Sequence, residues 1–91
     1  MEVIFIGANR RHGISKSGNP YDISKFVYAV PLKEVSREGM EYIGCGGDVR
    51  EMDIKPEAIS AFSSCKIGQT VKVRLEPKPE NPNRNWVVGL A

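Results

Sequence analysis

The sequence is short of the residues that carry most enzyme chemistry. It has one histidine, His12, and two cysteines, Cys45 and Cys65. That set does not complete a zinc site, and in a reducing cytoplasm the two thiols are expected to remain unpaired and structural. Ser15 and Ser17 lie close to His12, but no strand–turn–helix elbow surrounds either serine. "GCGGD", residues 44–48, follows neither the P-loop pattern nor G-x-G-x-x-G before a helix. The acids at 48, 51 and 53 do not repeat a calcium-loop spacing. No enzymatic activity, metal or cofactor is expected.

Long apolar runs are missing as well. Nothing approaches membrane-spanning length, and "MEVIFIGANRR" is too short and wrongly ordered for a secretory signal. The chain is expected to stay in the cytoplasm where it is made, with no membrane partner. Its 91 residues suit a single domain, residues 1–91, with one small core. Hydrophobic content of 41% beside 26% charged residues is ordinary globular composition and argues against wholesale disorder.

Net charge is only +2, but it is unevenly distributed. Between residues 10 and 25, Arg10, Arg11, Lys16 and Lys25 face Asp22 alone. Residues 33–57 are acidic, and residues 66–84 return to basic, with Lys66, Lys72, Arg74, Lys78 and Arg84 against Glu76 and Glu80. Two basic stretches that converge in space would form an anion-binding face; otherwise they are solvated surface.

"EVIFIGA" is β-branched and aromatic without helical period, the pattern of a buried first strand running on toward Gly13. "KSGN" and Pro20 supply turn chemistry. In "YDISKFVYAVPL", Tyr21, Ile23, Lys25 and Val27 fall on one side, and Asp22, Ser24, Phe26 and Tyr28 on the other. The outer half of this hairpin is too polar to be core, so it should project into solvent. "KEVSREGM" reads as a polar connection and "EYIGCGGDVREMDI" as a third strand bent at its glycines. Asp53 and Pro56 suggest the start of a short helix through "PEAISAFSSC". "QTVKVRLEP" alternates, with Val71, Val73 and Leu75 inward and Lys72 and Arg74 outward. "PKPENPNRN" reads as a loop, and "WVVGLA" as a last strand. Three strands, a short helix and two strands make the order of an OB-fold: mostly β, a five-stranded antiparallel barrel with the helix between strands 3 and 4.

Binding single-stranded nucleic acid requires cations for phosphates and aromatic faces for unpaired bases. The first hairpin interleaves Arg10, Arg11, Lys16 and Lys25 with Tyr21 and Phe26, and the last adds Arg74 and Arg84 near Trp86. Phe26 and Tyr28 lie mid-strand, where core packing competes with stacking, and Trp86 suits the barrel or a dimer contact equally well. Tyr21 stands beyond a solvent-facing turn among polar neighbours, where stacking is the better reading.

Residues 11–23, "RHGISKSGNPYDI", resemble the DNA-binding wing of the filamentous-phage single-stranded-DNA-binding proteins of the gene V type. That wing reads Arg, any residue, Gly, Val, Ser, Arg, Gln, Gly, Lys, Pro, Tyr, Ser, Leu. The match is gapless and shares Arg11, Gly13, Ser15, Gly18, Pro20 and Tyr21; Ile14, Lys16 and Ile23 are conservative, and Asn19 replaces a cation. The second strand stays in register to Leu32, "GQTVKVRL" is similar to the family's fourth strand, and "VVGLA" ends the chain much as the family does. The resemblance implies an OB-type homodimer in the host bacterium's cytoplasm. Such a helix-destabilising protein of DNA replication coats phage single-stranded DNA with little sequence preference. Arg11 and Lys16 would contact phosphates, Tyr21 would stack on a base, and Ile23 would pack beside it. The family's second aromatic, on the last hairpin, has no counterpart at the tip of "PKPENPNRN"; Trp86 is the nearest substitute. Single-stranded RNA would suit the same surface, as in a translational repressor, and an acidic protein partner would suit the basic hairpin.

Overall fold

The structure, a computed structural model, describes residues 1–31, 35–37, 39–42 and 44–91. Its strands are β1 (Glu2–Ile14), β2 (Pro20–Pro31), β3 (Val35–Arg37), β4 (Met40–Tyr42), β5 (Gly47–Asp53), β6 (Thr70–Lys78) and β7 (Asn81–Leu90). Five of them form one antiparallel sheet in the order β5-β2-β1-β6-β7. The sheet curls until its two edges meet. Ile54 forms a parallel bridge with Val87, and the Lys55 N–H donates to the Val87 carbonyl at 2.8 Å. This is the expected five-stranded OB-like barrel.

The first strand bends to serve two neighbours. Its register with β2 shifts between Phe5 and Gly7, one extra residue on β1. Before the bulge β1 pairs with both β2 and β6, and after it β1 follows β2 alone. Phe5, Phe26 and Phe62 meet inside with ring centroids 5.1–5.9 Å apart, enclosed by Val3, Ile54, Val71, Val73 and Val87. Phe62 comes from a 3₁₀ helix, Pro56–Phe62, which buries Ala58 and Phe62 against the barrel.

Four local readings are corrected. The connection "KEVSREGM" contains β3, which pairs with β4 as a separate two-stranded sheet. The expected third strand is two strands, β4 and β5; its Ile43, like Leu32 of the second strand, lies outside the described residues. The loop "PKPENPNRN" is largely strand: β6 and β7 continue to Lys78 and Asn81, leaving Pro79 and Glu80 as the tip. Trp86 therefore sits inside β7, opposite Glu76. Asp53 does not cap the helix, whose N-cap is Lys55 without a side-chain bond. Its carboxylate is taken by two lysines, described below.

Candidate nucleic-acid interface

Beyond Asn9 and Lys25, the last rung at which β2 still pairs with β5, β1 and β2 leave the barrel as a two-stranded wing. Residues 10–14 rise roughly 16 Å at strand spacing. The radius of gyration, 16.2 Å, exceeds the ~12 Å of a compact chain this long, as a projecting arm requires. The tip is built by its own hydrogen bonds. The Gly18 N–H donates to the Ser15 carbonyl at 2.9 Å, and Gly18 itself has φ 85°. A β-turn followed by one left-handed residue is the usual three-residue hairpin loop, and glycine adopts that φ without strain. Ser15 Oγ accepts the Asn19 N–H at 3.2 Å, and Asn19 Nδ2 donates to Ser17 Oγ at 3.4 Å. Asn19 thus turns its amide back onto the turn, and Lys16 is exposed beside it.

Strand register divides the wing into two faces. Arg11 opposes Ile23, Gly13 opposes Tyr21 and Asn9 opposes Lys25, so these residues share one face. Arg10, His12, Asp22 and Ser24 share the other. On the first, Tyr21 and Ile23 are 44% and 42% exposed. The alternation read from the sequence places them correctly because the period of a strand is two.

Not every cation of the basic stretches is free to meet a phosphate. Arg10 makes a bidentate pair with Asp22, Nε to Oδ1 at 3.0 Å and NH2 to Oδ2 at 2.9 Å. This pairing lowers the Asp22 carboxyl and raises the Arg10 guanidinium relative to their ordinary pKa values. Lys25 donates to Asp53 Oδ1 and Lys78 to Asp53 Oδ2, both at 2.7 Å, and Lys78 also lies 3.3 Å from Glu80. Bonds from the two lysines push the Asp53 carboxyl down to about 2. Arg11, Lys16, Arg74 and Arg84 are exposed and have no ion pair among the described residues.

The aromatic candidates part company in the same way. Phe26 is 0% exposed and has no face to offer a base; it is core, because the residue opposite Ala8 lies where the wing joins the barrel. Trp86 is half-buried, with the Lys78 ammonium 5.8 Å from its ring centroid. It lines a cleft of about 550 Å³ between the base of the wing and the β6–β7 hairpin. The sequence reading did not find this cleft. Its walls come from β2, β5, the 3₁₀ helix and the last hairpin, which only barrel closure brings together.

Cys45 and Cys65 are free thiols, and among the described residues no cluster of three His, Cys, Asp or Glu converges on a metal position. Among them also, no helix is long and apolar enough to cross a membrane.

Fold and site together define the class: an OB-like β-barrel bearing a projecting hairpin with one aromatic and cationic face. More particularly, the chain belongs to the CTX phage RstB protein family, whose model matches residues 2–88. Neither the curated proteins nor the solved structures yield a significant match.

Proposed function

We propose that this protein binds and coats phage single-stranded DNA, in the manner of the gene V type, and is not an enzyme. The observation that carries the reading is the Tyr21 face of the wing. An exposed aromatic, an exposed aliphatic at Ile23 and Arg11, which has no ion pair among the described residues, stand together on a two-stranded arm. Arg11 and Lys16 neutralise phosphates while Tyr21 stacks on a base and Ile23 packs beside it. Arg74 and Arg84, exposed on the β6–β7 hairpin, offer two further cations for the backbone. Every base has a π-face, so such contacts carry little sequence preference, which suits coating. Membership of a phage protein family supports a phage genome as the ligand. The protein acts as a homodimer in this reading, in line with the small core and with the resemblance of residues 11–23.

Titration with oligo-dT at low and rising salt tests the proposal. Expected is a salt-sensitive complex whose log affinity falls by roughly 0.7 per neutralised phosphate for each tenfold rise in salt. A tighter complex with the matched ribo-oligonucleotide would make RNA the ligand. Absence of any salt-sensitive complex would leave a basic hairpin that docks on protein.

A further inference from the structure

We infer that the cleft between the wing and the β6–β7 hairpin is a pocket for a single unpaired nucleobase, seated against Trp86. The inference rests on the single-stranded-DNA reading and adds a second, separate subsite to it. Three observations support it.

The first is shape and lining. The cleft, about 550 Å³, is of the size that holds small organic ligands, and Ile23, Ile54, Pro56 and Trp86 give it apolar walls. The second is charge. Lys25 and Lys78 are matched by Asp53 and Glu80, and Asp22 is held by Arg10. A wall so neutralised attracts a phosphate weakly, whereas the unpaired Arg11 and Lys16 lie outside on the wing. Backbone on the cationic wing and base in the neutral cleft is the division a nucleotide's own charge distribution matches. The lysines keep spare N–H donors for base carbonyls, and Glu80 offers an acceptor for a base N–H. The third is continuity. Ile23 belongs both to the exposed Tyr21 face and to the cleft wall, so a strand lying on Tyr21 passes the cleft mouth.

Trp86 is the only tryptophan, so its emission reports on the cleft alone. The test is a titration of the full chain with oligo-dT, followed by irradiation of the complex formed with an oligonucleotide carrying one 5-iodouracil. Expected are quenching of tryptophan emission on binding and a cross-link mapped to Trp86. Trp86→Ala should weaken binding about tenfold, with the salt slope unchanged because no phosphate contact is lost. Trp86→Phe, which retains a packing ring, should fold normally and lose less. If oligo-dT binds with normal salt dependence while tryptophan emission is unmoved and Trp86→Phe and Trp86→Ala bind as the parent does, the cleft holds no base and the coating function stands. If no oligonucleotide binds, both fall together.

Discussion

Tyr21 lies across Gly13. A β-carbon on Gly13 would stand 3.3 Å from the Tyr21 hydroxyl oxygen and 3.5 Å from the ring carbon that bears it. The two residues oppose each other in the β1–β2 ladder, so the glycine provides the floor on which the ring rests. A β-carbon at 13 asks the hydroxyl end of the ring to give way slightly, and a β-branched side chain asks for more. Gly13→Val should therefore weaken oligo-dT binding several-fold while leaving thermal stability unchanged or slightly raised, since a β-branched residue suits a strand. Unaltered affinity would mean that the ring's seat on the wing is immaterial.

Tyr21 and Phe26 provide a contrast on a single strand. Tyr21→Ala should cost binding about 1–3 kcal/mol and stability less than ~0.5 kcal/mol, because the residue is already largely exposed to water. Phe26→Ala should cost about 3–5 kcal/mol of stability by opening a cavity among Phe5, Phe62 and Tyr28. Urea unfolding beside oligonucleotide titration separates the two effects. A folding defect in Tyr21→Ala with normal binding would make the tyrosine structural.

Arg10 and Arg11 are neighbours in sequence and unequal in prospect. Arg11 has no ion pair among the described residues, whereas Arg10 is gripped by Asp22. Arg11→Ala should reduce the salt slope by roughly 0.7, the value of one phosphate contact, and Arg10→Ala should change it less. Equal losses from the two variants would show that the Arg10–Asp22 pair opens on binding.

Acid should loosen the mouth of the barrel. Asp53 is held at about 2 by the Lys25 and Lys78 bonds, against ~3.9 for an unfolded aspartate. A carboxyl depressed by folding stabilises the fold above the unfolded value and loses that contribution as pH falls through the folded one. The increment is on the order of 1–2 kcal/mol after allowance for partial solvent screening. Stability should thus drop between about pH 4 and pH 2, and Asp53→Asn should lose the increment at pH 7 and flatten that limb. Denaturant midpoints across the pH range measure it, and parallel curves for the two proteins would remove the proposed role of Asp53.

Much of the wing is legible in the sequence because its determinants are local. Two-residue alternation puts Tyr21, Ile23 and Lys25 on one side, and Gly18 with Pro20 closes a turn whatever the barrel does. The alternation of Val71 and Val73 is legible for the same reason, and both are buried. Only the outer part of the β6–β7 hairpin, residues 77–85, is misread as a loop, because proline and asparagine suggest irregular chain, while the strands run on through a register shift to a two-residue tip.

By itself, then, the sequence determined the succession of the five barrel strands around the short helix, the projecting hairpin and the side of it that Tyr21 faces. Tertiary structure alone decided which cations are spent. Asp53 reaches Lys25 across 28 residues and Lys78 across 25, and closure of β5 against β7 forms the cleft beside Trp86. The physical reason is range. Pleat and turn geometry act between adjacent residues, whereas ion pairing, burial and cleft shape depend on distances that exist only once the sheet has curled.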